Sequence, residues 1–105
     1  AGVLTSAEDA VADHQATPLS VQFAAYGDSQ KAKGLNRTRI RNTAARLNRL
    51  ADECGFGSLA DLDAARLERW LATQAAVGMS AGTRNEYRQE LIGFANWCVR
   101  TRRFC

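Results

Sequence analysis

Arginine and asparagine recur along this chain at helical spacing. Arg39, Asn42, Arg46 and Arg49 follow at steps of three, four and three, and Arg84, Asn85 and Arg88 form a second group. Residues three or four apart are neighbours on one side of an α-helix, so each group makes a polar stripe. Arginine neutralises phosphate and pairs bidentately with guanine, while asparagine pairs with adenine. The chemistry on offer is recognition of a polyanion, above all duplex DNA, whose major groove admits a helix. Ser80 and Thr83 head the second group. Their hydroxyls, with the free N–H groups of a helix start, suit a phosphate; helix capping accounts for the same residues equally well.

The residues needed for catalysis are sparse. His14 is the only histidine, and it lies beside Asp13 and Gln15 in the most weakly organised segment, so neither a triad nor a metal site is indicated. The carboxylates fall at helix starts and on solvated faces. The glycines punctuate helices and form no phosphate loop. Cys54, Cys98 and Cys105 are odd in number and lack C-x-x-C spacing, which argues against a zinc site or a disulfide framework. Cys54 and Cys98 fall on apolar faces as small hydrophobes. No cofactor is expected, and a reducing, cytoplasmic compartment is.

The chain has 105 residues, 46% of them hydrophobic and 24% charged, the balance of one globular domain. It holds no apolar run long enough for a membrane span and no signal-peptide pattern. Its net charge of +3 conceals segregation. Residues 1–30 carry four acids and no lysine or arginine, whereas residues 31–49 carry seven bases and no acid. Residues 80–105 add five arginines against Glu86 and Glu90. Such concentration points to a basic surface for a polyanion, with a solvated helix face as the plainer reading.

The elements that must position these stripes read as helices. Residues 1–16 are weakly structured or form a short helix opened by Ser6 and Asp9. Thr17 and Pro18 predict a helix start, as N-cap and first helical residue, for a helix to about Ala32 with Leu19, Phe23 and Tyr26 inward. Gly27 and Asp28 weaken its middle, and Gly34 ends it. Asn36 caps a second helix, stapled by Leu35 and Ile40, with Ile40, Ala44, Leu47, Leu50, Ala51 and Cys54 on its core side. Ser58 to Asp61 predicts a single turn with its own capping box. Asp63 opens a third helix whose inner face is Leu67, Trp70, Leu71 and Gln74-Ala75, with Glu68 and Arg69 solvated. Ser80 opens the fourth, with Tyr87, Leu91, Phe94, Ala95 and Cys98 inward. No hairpin signal or internal repeat interrupts this pattern. The expected fold is all-α, a bundle of four to five helices.

Residues 78–103 also carry a pattern, G-x-S-x-x-T-R-N-x-Y, then six residues, then F-x-x-W-x-V-x-x-x-R. With the "SLADL…RLERWL" segment before it, the pattern resembles the core-binding domain of tyrosine recombinases, the phage-type integrases, over about residues 19–104. The resemblance implies a small SAM-like helical domain (residues 17–105 here) that clamps double-stranded DNA at a recombination core site. It would lay two helices, by order the second and fourth, in or across the major groove. It further implies a catalytic domain in the same full-length chain, absent here, and a homo-tetramer on DNA. The family's tyrosine nucleophile belongs to that catalytic domain, so Tyr26 and Tyr87 read as packing residues and the fragment itself as no enzyme. Many relatives have an aromatic residue early in the second helix where this chain has Asn42 and Thr43, and the Asn-Pro linker of the family does not appear before Cys105.

The expected DNA surface therefore comprises Arg39, Asn42, Arg46, Arg49, Ser80, Thr83, Arg84, Asn85 and Arg88. Lys31, Lys33, Arg100, Arg102 and Arg103 would add peripheral attraction. The alternative is a helical protein-interaction module of the SAM or death-domain type, in which basic faces meet acidic ones.

Overall fold

The structure, a computed structural model, describes residues 17–101 and 103. The helix expected within residues 1–16, His14, Arg102 and Cys105 lie outside them. Four helices follow in order: α1 (Leu19–Ala32), α2 (Arg37–Cys54), α3 (Ala64–Ala76) and α4 (Ala81–Arg100), with a 3-10 turn at Leu59–Asp61 between α2 and α3. The described residues contain no strand beyond one isolated bridge between Pro18 and Ser58. The described residues form an all-α four-helix bundle.

Local chemistry fixes the helix ends. The Asn36 side chain accepts from the N–H groups of Thr38 at 2.7 Å and Arg39 at 3.4 Å, satisfying donors that the first turn of α2 leaves free. Gly55 ends α2 in the left-handed region at φ 75°, where a side chain is disfavoured. The Asp61 carboxylate accepts from the N–H groups of Gly57 at 2.9 Å and Ser58 at 3.0 Å, and these bonds hold its carboxyl below the ordinary range. Asp63 accepts from Ala65 N at 3.0 Å to open α3, and Ser80 Oγ from Thr83 N at 3.2 Å to open α4.

The start of α1 departs from expectation by one residue. Pro18, expected inside the helix, stands at the cap with ψ 141°. The Leu19 N–H donates to the Gly57 carbonyl at 2.9 Å, and Pro18 bridges Ser58. This short antiparallel contact with the α2–α3 loop holds the chain extended until Leu19. Gly27 and Asp28 do not interrupt α1.

The core is aromatic and centred on Phe94, which is fully buried. Phe23 meets it edge-on at 4.9 Å and Tyr26 at 5.5 Å, and Tyr26 also lies 5.2 Å from Trp97. Edge-to-face pairs of this kind add to the area they bury. α1 can come this close to α4 because Gly93 has no side chain: a Cβ there would stand 3.3 Å from the Tyr26 hydroxyl. Trp97, which the apolar spacing of α4 does not predict, is buried beneath Tyr26 and the Arg103 guanidinium, whose Cζ lies 4.6 Å from the ring centroid.

Cys98 is fully buried in this core, and burial pushes its thiol up to about 11. A group that holds its proton more tightly when folded contributes stability in full below its unfolded value. That contribution is lost as pH rises toward the folded value. Thermal melts should therefore show stability declining between about pH 9 and 11, the window set by this thiol. The decline should be shallower in Cys98→Ala; equal slopes in the two proteins would contradict the assignment.

Candidate nucleic-acid interface

α2 and α4 pack side by side and run antiparallel: Arg49 meets Tyr87, while Arg46, one turn earlier in α2, reaches Glu86 and Glu90. The polar stripe of α2 therefore lies along the seam with α4. Arg46 and Arg49 lie at that seam, Arg88 turns to Glu68 of α3, and Arg39 and Asn42 stand toward the end of α2 that is remote from the head of α4 with Ser80, Thr83 and Arg84.

Arg49 is engaged on every side. Its Nε donates to Glu53 at 2.6 Å, Nη1 to the Tyr87 hydroxyl at 3.0 Å and Nη2 to the Gln74 side-chain oxygen at 3.3 Å. Its Cζ sits 5.3 Å from the Trp70 ring centroid and 5.6 Å from that of Tyr87, a separation at which ring and cation attract. Glu53 also accepts from the Trp70 indole N–H at 3.1 Å. Arg49, followed by that indole, holds the Glu53 carboxyl below the ordinary range. Arg49 is thus a tie joining α2, α3 and α4: three of its five N–H groups are engaged, and the side chain remains 41% exposed.

Arg88 forms a two-bond fork with Glu68 of α3, Nε to Oε1 at 3.0 Å and Nη2 to Oε2 at 2.9 Å. Glu68, expected to be merely solvated, is a partner in this pair, and Arg88 holds its carboxyl below the ordinary range. Arg46 divides its terminal nitrogens between Glu86 at 3.0 Å and Glu90 at 3.1 Å.

The remaining stripe residues stand differently. Arg39 and Asn42 are exposed, as are Arg37 and Arg41, and none of these arginines forms an ion pair among the described residues. Arg84 is half-buried, and its Nε is shielded without a hydrogen-bond partner among the described residues. Asn85 is exposed on the outward side of α4, with Gly82 one turn earlier and Gln89 one turn later.

The head of α4 is a capped helix start. Ser80 Oγ accepts from Thr83 N and donates to Thr83 Oγ1 at 3.0 Å. The Thr83 hydroxyl proton is thereby left to point elsewhere. The N–H groups of Ala81 and Gly82 belong to the first turn, which has no intrahelical partners. A Cβ at exposed Gly82 would meet nothing within 4 Å. Packing does not require glycine here, and with open space and no positive φ alanine should stabilise the fold by about 0.4–1 kcal/mol, chiefly by restricting the unfolded chain.

Among the residues expected at the periphery, Lys31, Lys33 and Arg100 are exposed. Lys31 and Arg37 line a cleft of about 490 Å³ between α1 and α2, floored by Ala24, Gly27, Leu35 and Ile40. Arg103 instead stacks over Trp97 and donates to the buried Gln22 side chain at 3.0 Å, so it closes the core. The described residues hold no cluster of three metal-binding side chains, and no helix among them is long and apolar enough to cross a membrane.

Reading the stripes from spacing alone missed Glu53, Glu68, Glu86 and Glu90 as partners. The i,i+4 step from Arg49 to Glu53 is a local signal that predicts one of these pairs. The others join helices 20 to 44 residues apart and have no local signal.

The chain matches no family model, no curated protein and no solved structure.

Arg49→Met keeps the aliphatic stem but leaves the buried Tyr87 hydroxyl and Gln74 oxygen unpaired. Denaturant titration should show a loss of about 1–3 kcal/mol. A variant as stable as the parent would contradict the tie.

Proposed function

We propose that this chain is a DNA-binding helical domain of the kind found as the core-binding domain of tyrosine recombinases. Its role would be to clamp duplex DNA at the recombination site while a catalytic domain acts from the other side. The reading rests on the sequence resemblance and on one structural observation. Unpaired Arg37, Arg39 and Arg41 with Asn42 on α2, and the head of α4 with Arg84 and Asn85, lie toward opposite ends of two antiparallel helices packed directly together, so that one duplex laid along them would meet both groups at different phosphates.

Arg37, Arg39 and Arg41 neutralise phosphates on the α2 side, with Lys31 and Lys33 nearby in sequence. Thr83, the free N–H groups of Ala81 and Gly82, and Arg84 hold a phosphate at the head of α4. The bare backbone at Gly82 allows that phosphate to come close. Asn42, Asn85 and Gln89 supply the paired donors and acceptors that read adenine in the major groove. Arg49 and Arg88 contribute indirectly, by keeping α2, α3 and α4 in register. Integration, excision and resolution would all require the same clamp.

A second reading, a helical protein-interaction module, is favoured by a separate observation. Ile92 is 44% and Val99 52% exposed, and Ile92 borders an apolar notch with Leu62, Leu67, Leu91 and Ala95.

Fluorescence anisotropy with a labelled duplex separates the two. Binding on the order of micromolar is expected at low salt, with log K falling against log salt by about 0.9 for each phosphate engaged. Gly82→Ala should raise the melting temperature yet weaken binding. Absence of binding at low salt, together with concentration-dependent self-association in sedimentation velocity, would overturn the DNA reading in favour of the interaction module.

A further inference from the structure

We infer that Glu86 is a gate on the DNA surface: it occupies Arg46 until a phosphate replaces it, and so it sets how strongly the domain prefers dense phosphate arrays. The inference rests on the DNA-binding reading above. Its basis is the asymmetry of the trio at the α2–α4 seam. Arg46 donates Nη2 to Glu86 and Nη1 to Glu90 at nearly equal distances, 3.0 and 3.1 Å. The two carboxylates differ in setting, because the Glu86 side chain is 56% exposed and that of Glu90 is 23% exposed. Glu90 is enclosed between α2 and α4 and anchors Arg46, whereas Glu86 stands at the rim and can swing into solvent.

One guanidinium against two carboxylates leaves the trio net negative, and the neighbouring Arg49 and Arg88 are each matched by a carboxylate, Glu53 and Glu68. A phosphate approaching the seam is repelled unless it displaces Glu86 and takes over Nη2. The exchange is feasible because an exposed ion pair is weak and the incoming bond is charge-assisted. It is favoured when many phosphates lie nearby. Duplex DNA presents one charge per about 1.7 Å of axis, about twice the density of a single strand. The gate therefore discriminates against sparse polyanions without touching a base. The outward Asn42 and Arg39, one and two turns earlier in the same stripe, have no such partner and bind in either case.

The test is a double-mutant cycle with Glu86→Gln and Arg46→Ala, each protein measured by anisotropy against duplex and single-stranded DNA across a salt series. Glutamine keeps the size of the side chain and removes its charge. Glu86→Gln should raise duplex affinity about fivefold with little change in the duplex salt slope, because a phosphate already engages Arg46 in that complex, and should steepen the single-strand slope by about 0.7, the signature of one added phosphate contact. It should raise single-strand affinity more, narrowing the preference for duplex. Arg46→Ala should cost much more in the Glu86→Gln background than in the parent, because only there is Arg46 free to act in every complex. Circular dichroism melts confirm that all four proteins are folded. Equal losses on Arg46→Ala in both backgrounds, or higher affinity with an unchanged single-strand salt slope, would overturn the gate and leave the DNA reading standing. No binding by any of the four proteins at low salt would overturn both.

Discussion

The bundle depends on one guanidinium. Arg49 lies where α2, α3 and α4 meet, and it bonds to a carboxylate, a phenol and an amide while facing two aromatic rings. Tyr87, Trp70 and Gln74 are buried around it. A buried hydroxyl and amide without partners are costly, so the arginine stabilises the aromatic junction of the three helices although its own side chain is 41% exposed. That constraint fixes the register of α2 against α4. The register in turn decides which neighbouring side chains meet the seam and which meet solvent.

From that register follows a division of labour among the cations. Arg49 and Arg103 pack against aromatic rings and serve the core. Arg88 and Arg46 are held by carboxylates from a neighbouring helix, in pairs exposed enough to be weak and exchangeable. Arg37, Arg39 and Arg41 are uncommitted and project from the opposite end of α2 to Arg49. A surface graded from fixed to exchangeable to free can be rigid in its fold and still adapt to a partner. In the proposed function the free cations provide first attraction, and the exchangeable one responds to the density of charge that arrives.

Much of the fold was legible in the sequence, because helix ends are local events. Asn36, Asp63 and Ser80 each accept from backbone N–H groups two or three residues away, and a capping residue followed by an apolar period of three and four is readable without tertiary knowledge. The start of α1 shifted because its determinant is remote: the Gly57 carbonyl captures the Leu19 N–H from across the molecule. Trp97 escaped notice for the same reason, since its cover comes from Tyr26 and Arg103. The candidate site was legible as a set of residues but not as a set of states. Spacing places Arg39, Arg46 and Arg49 on one stripe. It cannot reveal that carboxylates and rings on other helices engage two of the three.

The central claim is that the α2–α4 seam and the head of α4 receive duplex DNA. The most direct test is an amide NMR titration of the whole chain with a short duplex at low salt. Progressive shifts at Arg39, Asn42, Gly82 and Asn85, with the outward side of α3 at Ala72 and Ala75 unmoved, are the predicted result. Shifts confined to Ile92, Ala95 and Val99, or no shifts at all, would contradict the account.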